Sequence, residues 1–194
     1  MKKIKYFILF TILLFVLTNC NTNDDGFYNT VYLLNAKNLV AIKTEDQYNV
    51  GDYLYVSADF SRYQIEADQT ELLDIYRTTG GADSFDFSYI LERKIGNEWK
   101  AVIISTDKLD IKKGNAASGT FVYGYCKYNP VNTTYEYNVG LPLLESGQYR
   151  LNFGYNSDSN EVELISNSKE LNLKMTIFTT INNNLNSIYY FTVN

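Results

Sequence analysis

The stretch Asp52–Phe60, DYLYVSADF, decides the fold class. Leu54, Val56, Ala58 and Phe60 fall on one side of a two-residue alternation, and Tyr53, Tyr55, Ser57 and Asp59 on the other. Side chains leave a strand to opposite faces in turn, so this pattern predicts a strand with one buried and one outward face. A helix needs apolar residues every three or four positions, and the segment lacks that spacing. The alternation returns at Ser84–Arg93, SFDFSYILER, with Phe85, Phe87, Tyr89 and Leu91 on one side. The turn through Lys94–Glu98 holds Gly96-Asn97 and leads into WKAVII at 99–104, which reads as a hairpin.

The same pattern continues outward from these segments. GTFVYGYCKY (119–128) and TTYEYNVG (133–140) flank the turn signal Asn129-Pro130, and GQYRLNFGY, EVELIS, ELNLKMTIFTTI and SIYYFTVN follow. The count is roughly nine to eleven strands, the pattern of a β-sandwich or barrel. Between Asp68 and Tyr76 a short helix capped by Asp68 and Glu71 competes with a strand through Leu72–Tyr76, and the strand is preferred. Trp99, the single tryptophan, opens the strand after the Gly96-Asn97 turn and is expected in the core. Tyr123 and Tyr125, with Phe121, share one face of their strand, and Tyr135 and Tyr137 share a face with Val139 on the next. These tyrosine faces are expected to be the inner ones, because the opposite faces are small or polar. If turned outward, they would form an aromatic platform.

LPLLESGQYRL (141–151) resembles the approach to strand F of immunoglobulin-like sandwiches, where an acidic residue, Gly and Tyr form the tyrosine corner. Glu145, Gly147 and Tyr149 match that motif, and Leu151 stands where the second cysteine would be. The resemblance implies an enlarged immunoglobulin-like antiparallel β-sandwich, since the chain exceeds the ~100 residues of that fold.

At the N-terminus, Lys2, Lys3 and Lys5 precede an uncharged stretch from Tyr6 to Thr18, which ends at Leu17-Thr18-Asn19-Cys20. A bilayer span needs ~20 apolar residues, so the stretch has the proportions of a secretory signal peptide. It resembles the lipobox of bacterial lipoproteins, with Asn19 where Gly, Ala or Ser is usual. That resemblance implies cleavage after residue 19, lipidation of Cys20 and attachment to a membrane. Asn21–Asp25 is polar and acidic, as a solvated tether is, and resembles the export signal of surface-exposed lipoproteins of the Bacteroidota. Asp24 and Asp25 would carry that signal. The expected organisation is a signal peptide over 1–19, a lipidated cysteine and tether over 20–29, and one β-domain over 30–194. The expected location is the outer membrane, facing the cell exterior.

Composition narrows the function. The formal charge is −5, and the three lysines of the signal segment leave with it, giving −8 for the mature chain. An acidic chain without basic clusters is a poor nucleic-acid binder, because phosphate neutralisation supplies most of that affinity. With no histidine, histidine-dependent triads and His/Cys zinc sites are excluded. Cys126 is the one thiol left beside the lipidated cysteine and is expected to pack as a small hydrophobe. Asn156–Glu161 alternates oxygen ligands like a calcium loop, but Glu161 and Asn167 stand where Gly and Glu are needed, so it reads as a solvated turn. No cofactor, metal or catalysis is expected. Tyr53 and Tyr55, opposite a convincing core face, are the candidate ligand-binding residues. The resulting reading is a lipoprotein with a non-catalytic domain that binds a glycan, a polymer or an outer-membrane partner. Its alternative is a structural or adhesive subunit acting only through protein–protein contacts.

Overall fold

The computed structural model describes residues 30–154, 161–168, 173–182 and 187–194. The signal segment, Cys20, Asp24 and Asp25 lie outside the described residues, as does the Asn156–Asn160 part of the calcium-like turn. In chain order the strands are β1 (Thr30–Lys43), β2 (Tyr53–Ser61), β3 (Tyr63–Gln64), β4 (Leu73–Asp74), β5 (Ser84–Ile95), β6 (Glu98–Ala101) and β7 (Asp110–Lys113). They continue with β8 (Asn115–Ser118), β9 (Val122–Asn129), β10 (Thr134–Pro142), β11 (Gly147–Asn152), β12 (Val162–Asn167), β13 (Leu173–Ile181) and β14 (Ile188–Val193). The chain is all-β, as the alternation predicts.

Seven of these strands close on themselves. The pairing runs β5–β12–β13–β1–β2–β10–β9 and returns from β9 to β5. Six of the seven seams are antiparallel. A closed ring with an odd number of strands cannot alternate throughout, so β13 and β1 run in the same direction. Near that seam the Asn38 and Leu39 amides donate to the hydroxyls of Thr180 and Thr179 (3.1 and 3.0 Å). Closure removes the exposed edges that an open sheet would present.

A closed barrel therefore stands where an open immunoglobulin-like sandwich was expected. The reason lies in β5, which is twelve residues long and serves two sheets. Its first half is barrel wall; its second half pairs with β11 and β6, and β11 pairs with β14, making a four-stranded sheet β6–β5–β11–β14. The tyrosine corner is nevertheless present, with the Tyr149 hydroxyl donating to the Glu145 carbonyl (2.8 Å). It is a local hydrogen bond that a barrel accommodates as well as a sandwich.

The core fills the barrel and continues under the second sheet. Leu54, Val56, Ala58 and Phe60 of β2 and Phe85, Phe87, Tyr89 and Leu91 of β5 are all buried, as read from their alternation. Tyr135 and Tyr137 of β10 also point inward, and Tyr137 shares a hydrogen bond with Tyr89 between hydroxyls (2.7 Å). On β9 the expectation fails. Val122, Gly124 and Cys126 face the core, while Tyr123 is 49% exposed. The cause is volume: a Cβ on Gly124 would lie 2.8 Å from Phe87 Cε1 and 2.9 Å from Tyr137 Cζ. Rings from β5 and β10 already occupy the space, so β9 can offer only small residues there.

Two further corrections are local. Leu72–Tyr76 is not a strand throughout: β4 gives way to a single-turn helix, Ile75–Thr78, capped by Asp74, whose carboxylate accepts from the Arg77 amide (3.0 Å). Asp74 outcompetes the strand because it also ion-pairs with Arg62, and the Arg62 guanidinium lies 5.0 Å from the Tyr76 ring centroid. Trp99 is absent from the core; it lies partly exposed on β6 against Arg150 and Tyr190. Its strand sits at the edge of the second sheet, and Trp99 stands opposite Lys94 on the outer face.

The β7–β8 pair fills a splay in the barrel wall. β9 and β10 pair at Asn129–Thr134 through Lys127–Glu136 and then part, with β8 on β9 and β7 on β10. Gly114 joins β7 to β8 at φ +72°, where a Cβ would lie 2.7 Å from the carbonyl oxygens of both Glu136 and Tyr125. Only glycine fits both the dihedral and the space.

Candidate functional site

The change of partner along β5 leaves a gap in the wall. On one side Ser84–Asp86 pair with β12, and pairing resumes with β11 only at Ile90. On the other side β9 stays paired through Tyr89. Beside Phe87, Ser88 and Tyr89 no strand among the described residues pairs on that first side, and a cleft of about 410 Å³ lies there. Its floor is the edge of the core, where Phe87 stacks on Phe153 with centroids 6.4 Å apart and Phe153 meets Tyr89 at 5.2 Å. Its walls are the outward residues of three strands: Tyr123 and Tyr125 from β9, Asp86 and Ser88 from β5, and Glu163 and Ile165 from β12, with Glu161 alongside.

Asp86 is the most constrained of these groups. Its Oδ1 accepts from Ser84 Oγ on the same strand (2.6 Å), and its Oδ2 accepts from Asn167 Nδ2 across the β5–β12 seam (3.2 Å). Burial pushes its pKa up, and those two hydrogen bonds and the Lys127 charge pull against the rise. Lys127 Nζ stands 5.9 Å from the Tyr125 centroid, bracing that ring from the far end of β9. The cleft thus offers two tyrosine rings and three carboxylates above an apolar floor. Such a lining accepts hydrogen bonds from hydroxyls, stacks on apolar ring faces and disfavours anions. Among the described residues no cluster of three or more Asp, Glu or Cys is arranged to hold a metal ion. No helix among them is long and apolar enough to cross a membrane.

Tyr53 and Tyr55 sit elsewhere, on the outer face of β2. Their rings are 6.3 Å apart and pressed onto Gly140, where a Cβ would lie 2.8 Å from Tyr55 Cε1 and 3.1 Å from Tyr53 Cδ1. The Tyr55 hydroxyl donates to Asp110, which also pairs with Lys112 (2.8 Å). They make a ledge, and they do not line the cleft. Cys126 is fully buried, and burial raises its thiol pKa. The sequence reading passed over Asp86, Phe153 and Glu163. None carries a local signal, because the cleft exists only where β5 exchanges one partner for another. Comparison with protein-family models, curated proteins and solved structures returns no match.

Proposed function

We propose that this chain is a surface lipoprotein, anchored through Cys20 in the outer membrane, whose barrel domain binds a neutral saccharide without acting on it. The observation that carries the reading is the cleft at the β5 partner switch, with Tyr123 and Tyr125 on one wall and Asp86, Glu161 and Glu163 around them. Tyrosine faces stack on the C–H faces of a pyranose, and carboxylates accept from its hydroxyls. The lipobox resemblance and the acidic Asp24-Asp25 tether support attachment with the domain facing outward. Binding requires nothing beyond these side chains, so no cofactor or metal enters the proposal.

A cleft with carboxylates raises a second reading, acid–base hydrolysis. That chemistry needs one carboxyl free to hand its proton to a leaving group. Both Asp86 oxygens are engaged by Ser84 and Asn167, which supports a role in holding the wall. The test is retention on immobilised neutral polysaccharides, with release of reducing ends measured on the same polymers. Tyr123→Ala with Tyr125→Ala should abolish retention, while the wild type should release nothing. Loss only in the Tyr53→Ala, Tyr55→Ala pair moves the site to the β2 ledge. No retention of the wild type on any polymer leaves the structural or adhesive subunit, and reducing-end release makes the chain an enzyme.

A further inference from the structure

The outer face of the four-stranded sheet carries a second aromatic surface of opposite electrostatic character. Cross-strand pairing sets Trp99 of β6 opposite Lys94 of β5, and Arg150 of β11 between Glu92 of β5 and Tyr190 of β14. Glu92 accepts two hydrogen bonds from Arg150 (Nε 2.6 Å, Nη2 3.0 Å), a bidentate pair that fixes the guanidinium plane. The guanidinium carbon then lies 4.8 Å from the Trp99 centroid, and Tyr190 stands 5.7 Å from the indole at 60°. A shallow groove of about 260 Å³ runs beside the indole, with Gln148, Tyr190 and Thr192 along it.

Two features go beyond what packing requires. Tyr190 is 58% exposed although it is one of the larger side chains in the domain. Lys94 is exposed and forms no ion pair among the described residues; its Nζ rests 6.0 Å from the Trp99 centroid. With Glu92 committed to Arg150, the face keeps one cation outside an ion pair among the described residues, Lys94, in a chain whose formal charge is −5. The wall cleft, by contrast, is lined by three carboxylates. Acidic ligands are therefore disfavoured at the cleft and favoured here.

We propose that this face binds an acidic polysaccharide, a uronate-bearing chain whose pyranose ring lies on Trp99 and Tyr190 and whose carboxylate pairs with Lys94. The indole and phenol supply ring faces for stacking, and the Gln148 amide and Thr192 hydroxyl reach the sugar hydroxyls. The flexible Lys94 stem lets its ammonium leave the indole for a carboxylate at the ring edge. The groove is shallow, which suits a polymer lying along the surface. This site is independent of the neutral-saccharide reading of the cleft.

Trp99 is the single tryptophan, so indole emission reports this face alone. The full-length protein, solubilised in non-ionic detergent, is titrated with polygalacturonate, with its fully methyl-esterified form and with poly-L-glutamate. Polygalacturonate should change the emission saturably, and about 0.5 M salt should weaken it several-fold by screening the Lys94 contact. The esterified polymer, Lys94→Gln and Tyr190→Ala should each weaken binding about fivefold or more, the effect of losing roughly one good contact. The urea midpoint of Lys94→Gln should match the wild type, and that of Tyr190→Ala, which loses its contact with Trp99, should stay within about 0.5 M of it. An emission unmoved by polygalacturonate overturns the proposal. So does equal binding of poly-L-glutamate, which would mean charge alone, or unchanged binding by both variants. Retention on neutral polymers through Tyr123 and Tyr125 is read separately, so failure of either site is visible without the other.

Discussion

Gly124→Ala probes the reason β9 turns its tyrosines outward. The added Cβ would lie 2.8 Å from Phe87 Cε1, 2.9 Å from Tyr137 Cζ and 3.0 Å from Tyr137 Cε2, where ordinary contact begins at 3.4 Å. Both rings must retreat by about 0.5 Å, and neither is free to do so. Phe87 is stacked between Tyr89 and Phe153, and Tyr137 is tied to Tyr89 by their shared hydrogen bond. Overpacking of this kind costs ~1–3 kcal/mol, which outweighs the few tenths gained by stiffening the unfolded chain; a loss of ~2 kcal/mol is expected. In urea, with a slope of ~2 kcal/mol per molar, that moves the midpoint down by about 1 M. Unfolding is followed by far-UV circular dichroism and Trp99 emission together. Phe87→Leu removes the offending ring edge and by itself should cost ~1.5 kcal/mol. In the double variant the two changes should compensate, with a coupling of ~1 kcal/mol or more, because contacting residues are not additive. A Gly124→Ala chain with the wild-type midpoint, or strictly additive losses in the double variant, would refute the volume argument.

Acid should weaken the fold through Glu136 and Asp74. Hydrogen bonds from Asn132, Asn129 and Thr134 hold the Glu136 pKa below its ordinary value, and the Arg62 guanidinium does the same for Asp74. Their folded pKa values lie below the unfolded ones, so their stabilisation is present at neutral pH and is lost as pH falls through about 4 and below. Asp86 is shifted the other way and offsets part of that loss. Melting temperatures from pH 7 to 3 should fall less steeply for Glu136→Gln than for the wild type, and equal slopes would remove Glu136 from the account. At the N-terminus, fatty-acid labelling should mark the wild type and miss Cys20→Ser; equal labelling of both ends the lipoprotein proposal. Protease added to intact cells should remove the domain from the wild type but not from an Asp24→Ala, Asp25→Ala variant, and protection of the wild type would place the domain inside.

Much of the strand content was legible because alternation is a local property. The faces of β2 and β5 follow from a period of two, whatever those strands pair with. The Gly96-Asn97 hairpin was legible for the same reason, since Gly96 at φ +63° supplies the dihedral that a two-residue turn needs. The tyrosine corner was also readable, as its donor and acceptor lie four residues apart. The outward direction of Tyr53 and Tyr55 followed from their neighbours. Their pressing onto Gly140 did not, because Gly140 belongs to a strand far along the chain.

What the sequence by itself determined was the all-β class and most of the longer strands from β2 onward, through preferences that each segment carries alone; β1, β7 and β8 were not among the strands it singled out. Only the tertiary structure decided the closure and the sites. Alternation says that β9 has two faces, but Phe87 and Tyr137, arriving from β5 and β10, decide which of them is inside. The parallel meeting of β13 with β1 joins segments more than a hundred residues apart and turns a sheet into a barrel. The switch of β5 from β12 to β11 opens the cleft, and the edge position of β6 leaves Trp99 partly exposed. Each is a matter of which strands become neighbours, and that depends on the summed packing of the whole core, which no local period encodes.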